Sequence, residues 1–347
     1  MSTSTTRRRS IAIDLVRVIA IFIVVLRHTW YDPDGFVAQI ACPWAIAVFF
    51  VLTGYLWSEK RTMAKEFDHR ASTLMVPFVC WMVLISIPFF AWAFTEDAKA
   101  AAVFLPAFAY GAQFAPIPYS ACWFFSVMFC ACLIMRFLGG YARKWTWLVI
   151  GLTLVVTVVA PTLLWFGPLG SGLALACLLF IAAGQELKRY RARITHPFVT
   201  GLLLAGASAA AIALGASHDL DGTIIEVKTA DFGFPVAGLV VGATFSIGLL
   251  LLCESLERFI PEQVGPFLVK VAGTATFAMF LHPVLLLAMG TDWDGGWPDF
   301  LVAYLVPIAL CLLLQSRGWL PWLTGDVKPI AFSERLARRR TTATTGN

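Results

Sequence analysis

The sequence predicts an all-α fold, a polytopic membrane helix bundle of about ten transmembrane helices with both termini in the cytoplasm. Three observations predict it. Of 347 residues, 59% are hydrophobic and only 14% charged, where soluble domains carry about 25% charged residues; the mean hydropathy is +0.78. The apolar residues fall into runs near the ~20 that a helix needs to cross a bilayer. The basic residues sit in short clusters between alternate runs, as cytoplasmic loops require.

The runs, in order, are residues 11–31, 40–58, 73–94, 118–138, 145–164, 170–187, 197–215, 233–253, 267–288 and 299–316. The first follows Arg7-Arg8-Arg9 and resembles a secretory signal. It carries Asp14, Arg17, Arg27 and His28, however, and has no small-x-small site before Trp30. It is therefore read as a retained span. Residues 100–117 are apolar but broken by Pro and Gly, which suits a re-entrant or interfacial segment. With the N-terminus inside, cytoplasmic tails, loops and span ends hold 22 of the 26 Lys and Arg, including Lys60, Arg61, Lys65 and Arg70. External loops hold only Lys99 and Lys228, against eleven acids. That asymmetry sets N-in, C-in. The layout is a basic tail over residues 1–10, a membrane domain over 11–316 and a basic tail over 317–347 at the anionic inner leaflet. The longest external loop, about 216–232, is too short for a second domain.

A net charge of +5 invites a nucleic-acid reading. The distribution of the basic clusters excludes it, and membrane lipids are the expected surroundings. Eight cysteines lie in or beside apolar runs, with no CxxC and no Cys/His metal spacing. They read as inert thiols, and no metal is expected.

Ionisable groups inside a span are costly and point to function. Arg17 and His28 are eleven residues apart, three turns plus roughly 20°, so they share one face of the first helix at about 16 Å axial separation. One reading gives an anion-binding guanidinium below a proton acceptor. The other makes Arg17 a snorkelling or Asp14-paired residue and His28 an interfacial one; spacing alone leaves both open. Thr53-Gly54 permits close helix approach, and Thr53 and Tyr55 can also hydrogen-bond a substrate. His282-Pro283 in the ninth span and Trp123-Phe124-Phe125 in the fourth read, by themselves, as structural residues.

Taken together, these pieces resemble the acyltransferase-3 family of membrane proteins, over about residues 11–316. The motifs are Arg17-x10-His28, Phe49-Phe50-Val51-Leu52-Thr53-Gly54-Tyr55, the basic stretch Phe67–Arg70 leading to Pro77-Phe78, Trp123-Phe124-Phe125, and the aromatic-rich segment ending in His282-Pro283. The resemblance is nearest to single-domain, fucose-4-O-acetylase-like members. It implies an O-acyltransferase of the plasma membrane that moves an acyl group, acetyl above all, from cytosolic acyl-CoA to a hydroxyl of an extracytoplasmic or lipid-linked carbohydrate. His28 and Arg17 would be catalytic. Thr53, Tyr55, Trp123 and His282 would bind substrate, and Arg70 and Lys65 would bind the phosphates of the acyl-CoA. A homo-oligomer or a separate extracytoplasmic partner fits a chain with no fused domain. Two departures matter: the family often has a second Arg where Thr73 stands, with Lys65 as its substitute, and the Tyr before the late His is Phe280. The rival reading is a transporter or flippase of an acylated or lipid-linked sugar.

Overall fold

The computed structural model describes residues 10–32, 35–96, 110–115, 117–217, 225–234, 236–292, 294–327 and 331. The N-terminal tail up to residue 9 falls outside these residues, as does the C-terminal tail beyond 327 except residue 331. So do Asp97, Lys99 and most of the 100–117 segment.

Among the described residues the chain is all helix. The helices are α1 (Ile11–Thr29), α2 (Phe36–Ala41), α3 (Ala47–Tyr55), α4 (Met63–Arg70), α5 (Val76–Glu96), α6 (Trp123–Leu138), α7 (Arg143–Val159), α8 (Ser171–Tyr190), α9 (Pro197–Ser217), α10 (Ala237–Leu256), α11 (Val264–Gly273), α12 (Ala275–Met289), α13 (Trp297–Arg317) and α14 (Pro321–Thr324). Short 3-10 turns join several of them, and a π-helical turn, Ala71–Met75, links α4 to α5.

Among the described residues five helical stretches are long and apolar enough to cross a membrane: Met63–Pro88, Pro168–Arg193, Pro197–Ser217, Ala237–Phe259 and Trp297–Arg317. A sixth forms if α11 and α12, bent by 59° at their junction, count as one span. The sequence leads one to expect ten, and the shortfall has physical causes. The first span carries Asp14, Arg17 and Arg27 within its helix. The second is divided between α2 and α3, which are 6 and 9 residues long. The fourth and fifth, α6 and α7, have 16 and 17 residues, at or below the short end of the usual range of about 17–25.

Small residues set the closest contacts, as expected where bilayer lipid leaves no hydrophobic drive between helices. A Cβ on Gly54 of α3 would lie 2.0 Å from the Ile181 carbonyl of α8, and one on Gly184 of α8 would lie 2.0 Å from the Val51 carbonyl of α3. The two backbones therefore touch reciprocally, and neither position admits a side chain. This holds Thr53 against the wall of the bundle interior. α1 packs against α10, α11, α12 and α13, with Ala12, Val16, Ala20 and Val25 fully buried along it. All eight cysteines are unpaired.

Candidate functional site

Two cavities open along one face of α1. The larger, about 490 Å³, is lined by Arg17 together with Thr53, Arg61, His69, Arg70 and Thr73. The smaller, about 90 Å³, is lined by His28 together with Arg27, Tyr31, Trp123, Glu226 and Lys228. Phe124 and Met279 face both. The eleven-residue spacing thus puts guanidinium and imidazole in two chambers whose linings share Phe124 and Met279.

The arginine cavity is built from a buried carboxylate outward. Glu66 on α4 is fully buried, and Thr62 caps that helix by accepting from the Lys65 amide at 3.4 Å. The Glu66 carboxylate accepts from Arg70 at 2.8 Å, from Arg136 at 3.1 Å and from Arg61 at 3.5 Å. Three cations around one carboxylate leave an excess of positive charge, and two of them, Arg61 and Arg70, also line the cavity. Arg17 is tied to the buried Asp14 at 3.3 Å, the pairing expected three residues apart, while about a third of its own side chain stays exposed. The π turn just after Arg70 widens the helix locally, and π turns often mark functional sites. His69, Arg70, Thr73 and Leu74 all face the cavity across it.

The histidine cavity brings together two residues far apart in sequence. His28 Nδ1 donates to the Val24 carbonyl at 2.8 Å. His282 Nδ1 donates to the Ala278 carbonyl at 2.8 Å. A carbonyl only accepts, so the neutral rings carry their proton on Nδ1 and leave Nε2 as a lone-pair site. The rings meet edge to face with centroids 4.8 Å apart. His282 is fully buried, and its Nε2 has no hydrogen-bond partner. Behind it Phe280 stacks between Trp81 and Phe125, with centroids at 5.7 and 4.1 Å. The aromatic run before His282 thus anchors α12 to Trp81 and Phe125. Pro283 is buried within α12 and supplies no amide to the Met279 carbonyl four residues back.

The expected site residues separate into two groups. Arg17, Arg70 and Thr53 line one cavity, and His28 and Trp123 the other; His282 lies directly behind His28. Thr53 also donates to Met128 Sδ at 3.6 Å. Two residues are elsewhere. Tyr55 turns from both cavities and donates to Glu254 Oε1 at 2.6 Å, a carboxylate also held by Arg191 at 2.6 Å. Lys65 is exposed and lines neither; Arg61 stands in the place offered to it. Sequence reasoning passed over Glu66, Arg61, His69 and Lys228. Glu66 and Arg70 show the i, i+4 spacing of a helical ion pair. Lys228 was visible only as a lone cation in an acidic loop. Its Nζ donates to the Ala115 carbonyl at 3.1 Å, and burial pushes its pKa below the usual lysine value while Glu226 pulls it back up.

Among the described residues no group of His, Cys, Asp and Glu is arranged to hold a metal ion. What the arrangement offers is an imidazole lone pair beside a chamber rich in guanidinium groups. Searches of curated proteins and of solved structures return no match. The sequence model of a family described as an acyltransferase domain matches residues 10–315. That match takes in every lining residue of the two cavities except Gly325 and nearly the whole chain, and the chain belongs to the acyltransferase-3 family of membrane acyltransferases.

Proposed function

We propose that the protein is an O-acyltransferase of the plasma membrane, crossing it about ten times with both termini inside, that takes an acyl group, acetyl above all, from cytosolic acyl-CoA. The acceptor is a hydroxyl of an extracytoplasmic or lipid-linked carbohydrate. The observation that carries this reading is the placement of His28 and Arg17 in two cavities that share the walls Phe124 and Met279.

In this reading the arginine cavity takes the acyl-CoA. Arg61 and Arg70, oriented by Glu66, bind its phosphates through charge-assisted hydrogen bonds, and their excess charge draws the anion in. The pantetheine arm runs past Thr53 toward the partition. The acceptor enters from the His28 side, against Trp123. His28 Nε2 takes the hydroxyl proton as the oxygen attacks the thioester carbonyl. A C–O bond forms, the C–S bond breaks, and the proton returns from His28 to the leaving thiolate. Arg17 offsets negative charge on the acyl-CoA side. His282 is a positioning residue that holds the His28 ring by its edge. A homo-oligomer or a separate extracytoplasmic partner remains compatible with this scheme.

The test is transfer of labelled acetyl from acetyl-CoA to a cell-surface glycan by the purified protein in nanodiscs. Wild type should label the glycan, and His28→Ala and Arg17→Ala should not. Equal labelling by the His28 variant removes the mechanism.

A further inference from the structure

Two cations, Arg27 and Lys228, line the His28 cavity against a single carboxylate, Glu226. Transfer to a neutral sugar has no use for them. Among the described residues both are bonded to neutral acceptors only. Arg27 Nε donates to Cys42 Sγ at 3.3 Å and its Nη1 to the Trp30 carbonyl at 3.2 Å. The guanidinium also lies 5.0 Å from the centre of the Tyr31 ring. Lys228 Nζ donates to the Ala115 carbonyl at 3.1 Å. Of the five N–H groups of a guanidinium and the three of an ammonium, three on Arg27 and two on Lys228 are therefore left for a guest. Both side chains are half-buried, and charges partly withdrawn from water call for a counter-charge.

The loop that carries Lys228 is held in place. Gln113 Nε2 donates to the Lys228 carbonyl at 3.4 Å, the Trp165 indole donates to the Thr229 carbonyl, and the Glu226 amide donates to the Asp231 carbonyl at 2.8 Å. Ile225 and Val227, on either side of Glu226, are buried. The ammonium is thus presented to the cavity by a fixed frame. A space of about 90 Å³ accepts a group of a few heavy atoms rather than a whole saccharide ring.

We propose that the acceptor carries an anionic group, a carboxylate or a phosphate ester, close to the hydroxyl that is acylated, and that Lys228 and Arg27 bind it. The inference depends on the reading of the His28 cavity as the acceptor site. A bound anion acts on Lys228 in the same direction as Glu226, favouring the charged ammonium against burial. Charge complementarity of this kind confers selectivity more than raw affinity.

The test uses the full chain in nanodiscs and three probes: methyl glucuronide, glucose 6-phosphate and methyl glucoside. Binding is read by calorimetry for wild type, Lys228→Gln, Arg27→Gln and the charge-keeping Lys228→Arg. At least one anionic probe should bind ~10-fold or more tightly than the glucoside, which is about 1.4 kcal/mol. The preference should weaken with salt, disappear in Lys228→Gln and survive in part in Lys228→Arg. Preference for the glucuronide alone assigns the group as carboxylate, for the phosphate alone as phosphate ester, and for both as charge without regard to shape. Equal binding of all three probes, no binding of either anion, or unchanged preference in both Gln variants overturns the proposal. Should Lys228→Gln fail to fold, Arg27→Gln and the salt dependence decide. Acetyl transfer to the same probes separates this idea from the one beneath it. Anion binding without any transfer counts against acyl transfer and leaves the anion site standing. Transfer to the glucoside with no anionic preference does the reverse.

Discussion

The rings of His28 on α1 and His282 on α12 stand edge to face, 67° between planes, each with Nδ1 fixed to the carbonyl four residues earlier in its own helix. Of the two, His28 is in the lining of the smaller cavity and His282 is not. Replacing His28 by Ala should lower kcat by about 10²- to 10⁴-fold, the usual worth of a general base. His282→Ala should cost less and should act on kcat rather than on KM for the acyl-CoA. Single-turnover acetyl transfer measures both, and equal losses in the two variants would count against the division of roles.

Thr53 and Tyr55, two residues apart, should part company. Thr53→Val removes a hydroxyl from the arginine cavity and is expected to raise KM for the acyl-CoA. Tyr55→Phe breaks the bond to Glu254, a hydrogen bond to a charged group worth about 1.5–3 kcal/mol. It should lower the melting temperature in detergent and leave KM unchanged. A raised KM in the Tyr55 variant would place that side chain at the substrate after all.

Glu66 is the keystone of the guanidinium cluster. Its loss strands Arg70 and Arg136, which are 15% and 10% exposed, without their shared counter-ion. Glu66→Gln should therefore destabilise the protein by about 3–5 kcal/mol and weaken acyl-CoA binding through misplaced Arg61 and Arg70. Thermal unfolding and calorimetry report the two effects separately.

Lys228 gives a pH dependence whose sign follows from burial. Its pKa in the folded protein lies below the usual lysine value, desolvation outweighing the pull of Glu226. Between the folded value and about 10.4, the unfolded chain holds a proton that the folded one has released. Stability therefore rises with pH across that window. Wild type should gain stability relative to Lys228→Met as pH rises toward 10.4 and then level off. Parallel curves for the two proteins would show that the folded environment leaves the ammonium untouched.

The helical class, the placement of the helices and the pairing of Asp14 with Arg17 were legible because each is local: run length, charge spacing and i, i+3 geometry act within one segment. So was the shared face of Arg17 and His28. The His28–His282 contact was not, since nothing in either segment says which helices become neighbours. Glu66 was half legible: its pairing with Arg70 follows helical spacing, but Arg61 and Arg136 come from outside that helix. That Tyr55 faces Glu254 rather than either cavity was not legible from its place beside Thr53-Gly54. The exposed position of Lys65, outside both linings, was not legible either, since charge count places a cation near a site without fixing its direction. Part of the gap between the expected span count and the helices that qualify arises because hydropathy cannot see that the second run turns at Cys42–Ile46.

The wall formed by Phe124 and Met279 has a consequence for a cell that lives on its ion gradients. A rotamer change in these two shared side chains would be a motion far smaller than the helix rearrangements of alternating-access carriers. The backbone and the packed helices can stay still while a group the size of an acetyl slips past. The same two apolar side chains would stand in the way of hydrated ions and of a chain of water that could relay protons. An enzyme arranged in this way could modify the outside of the cell from the inside without discharging the membrane that separates them.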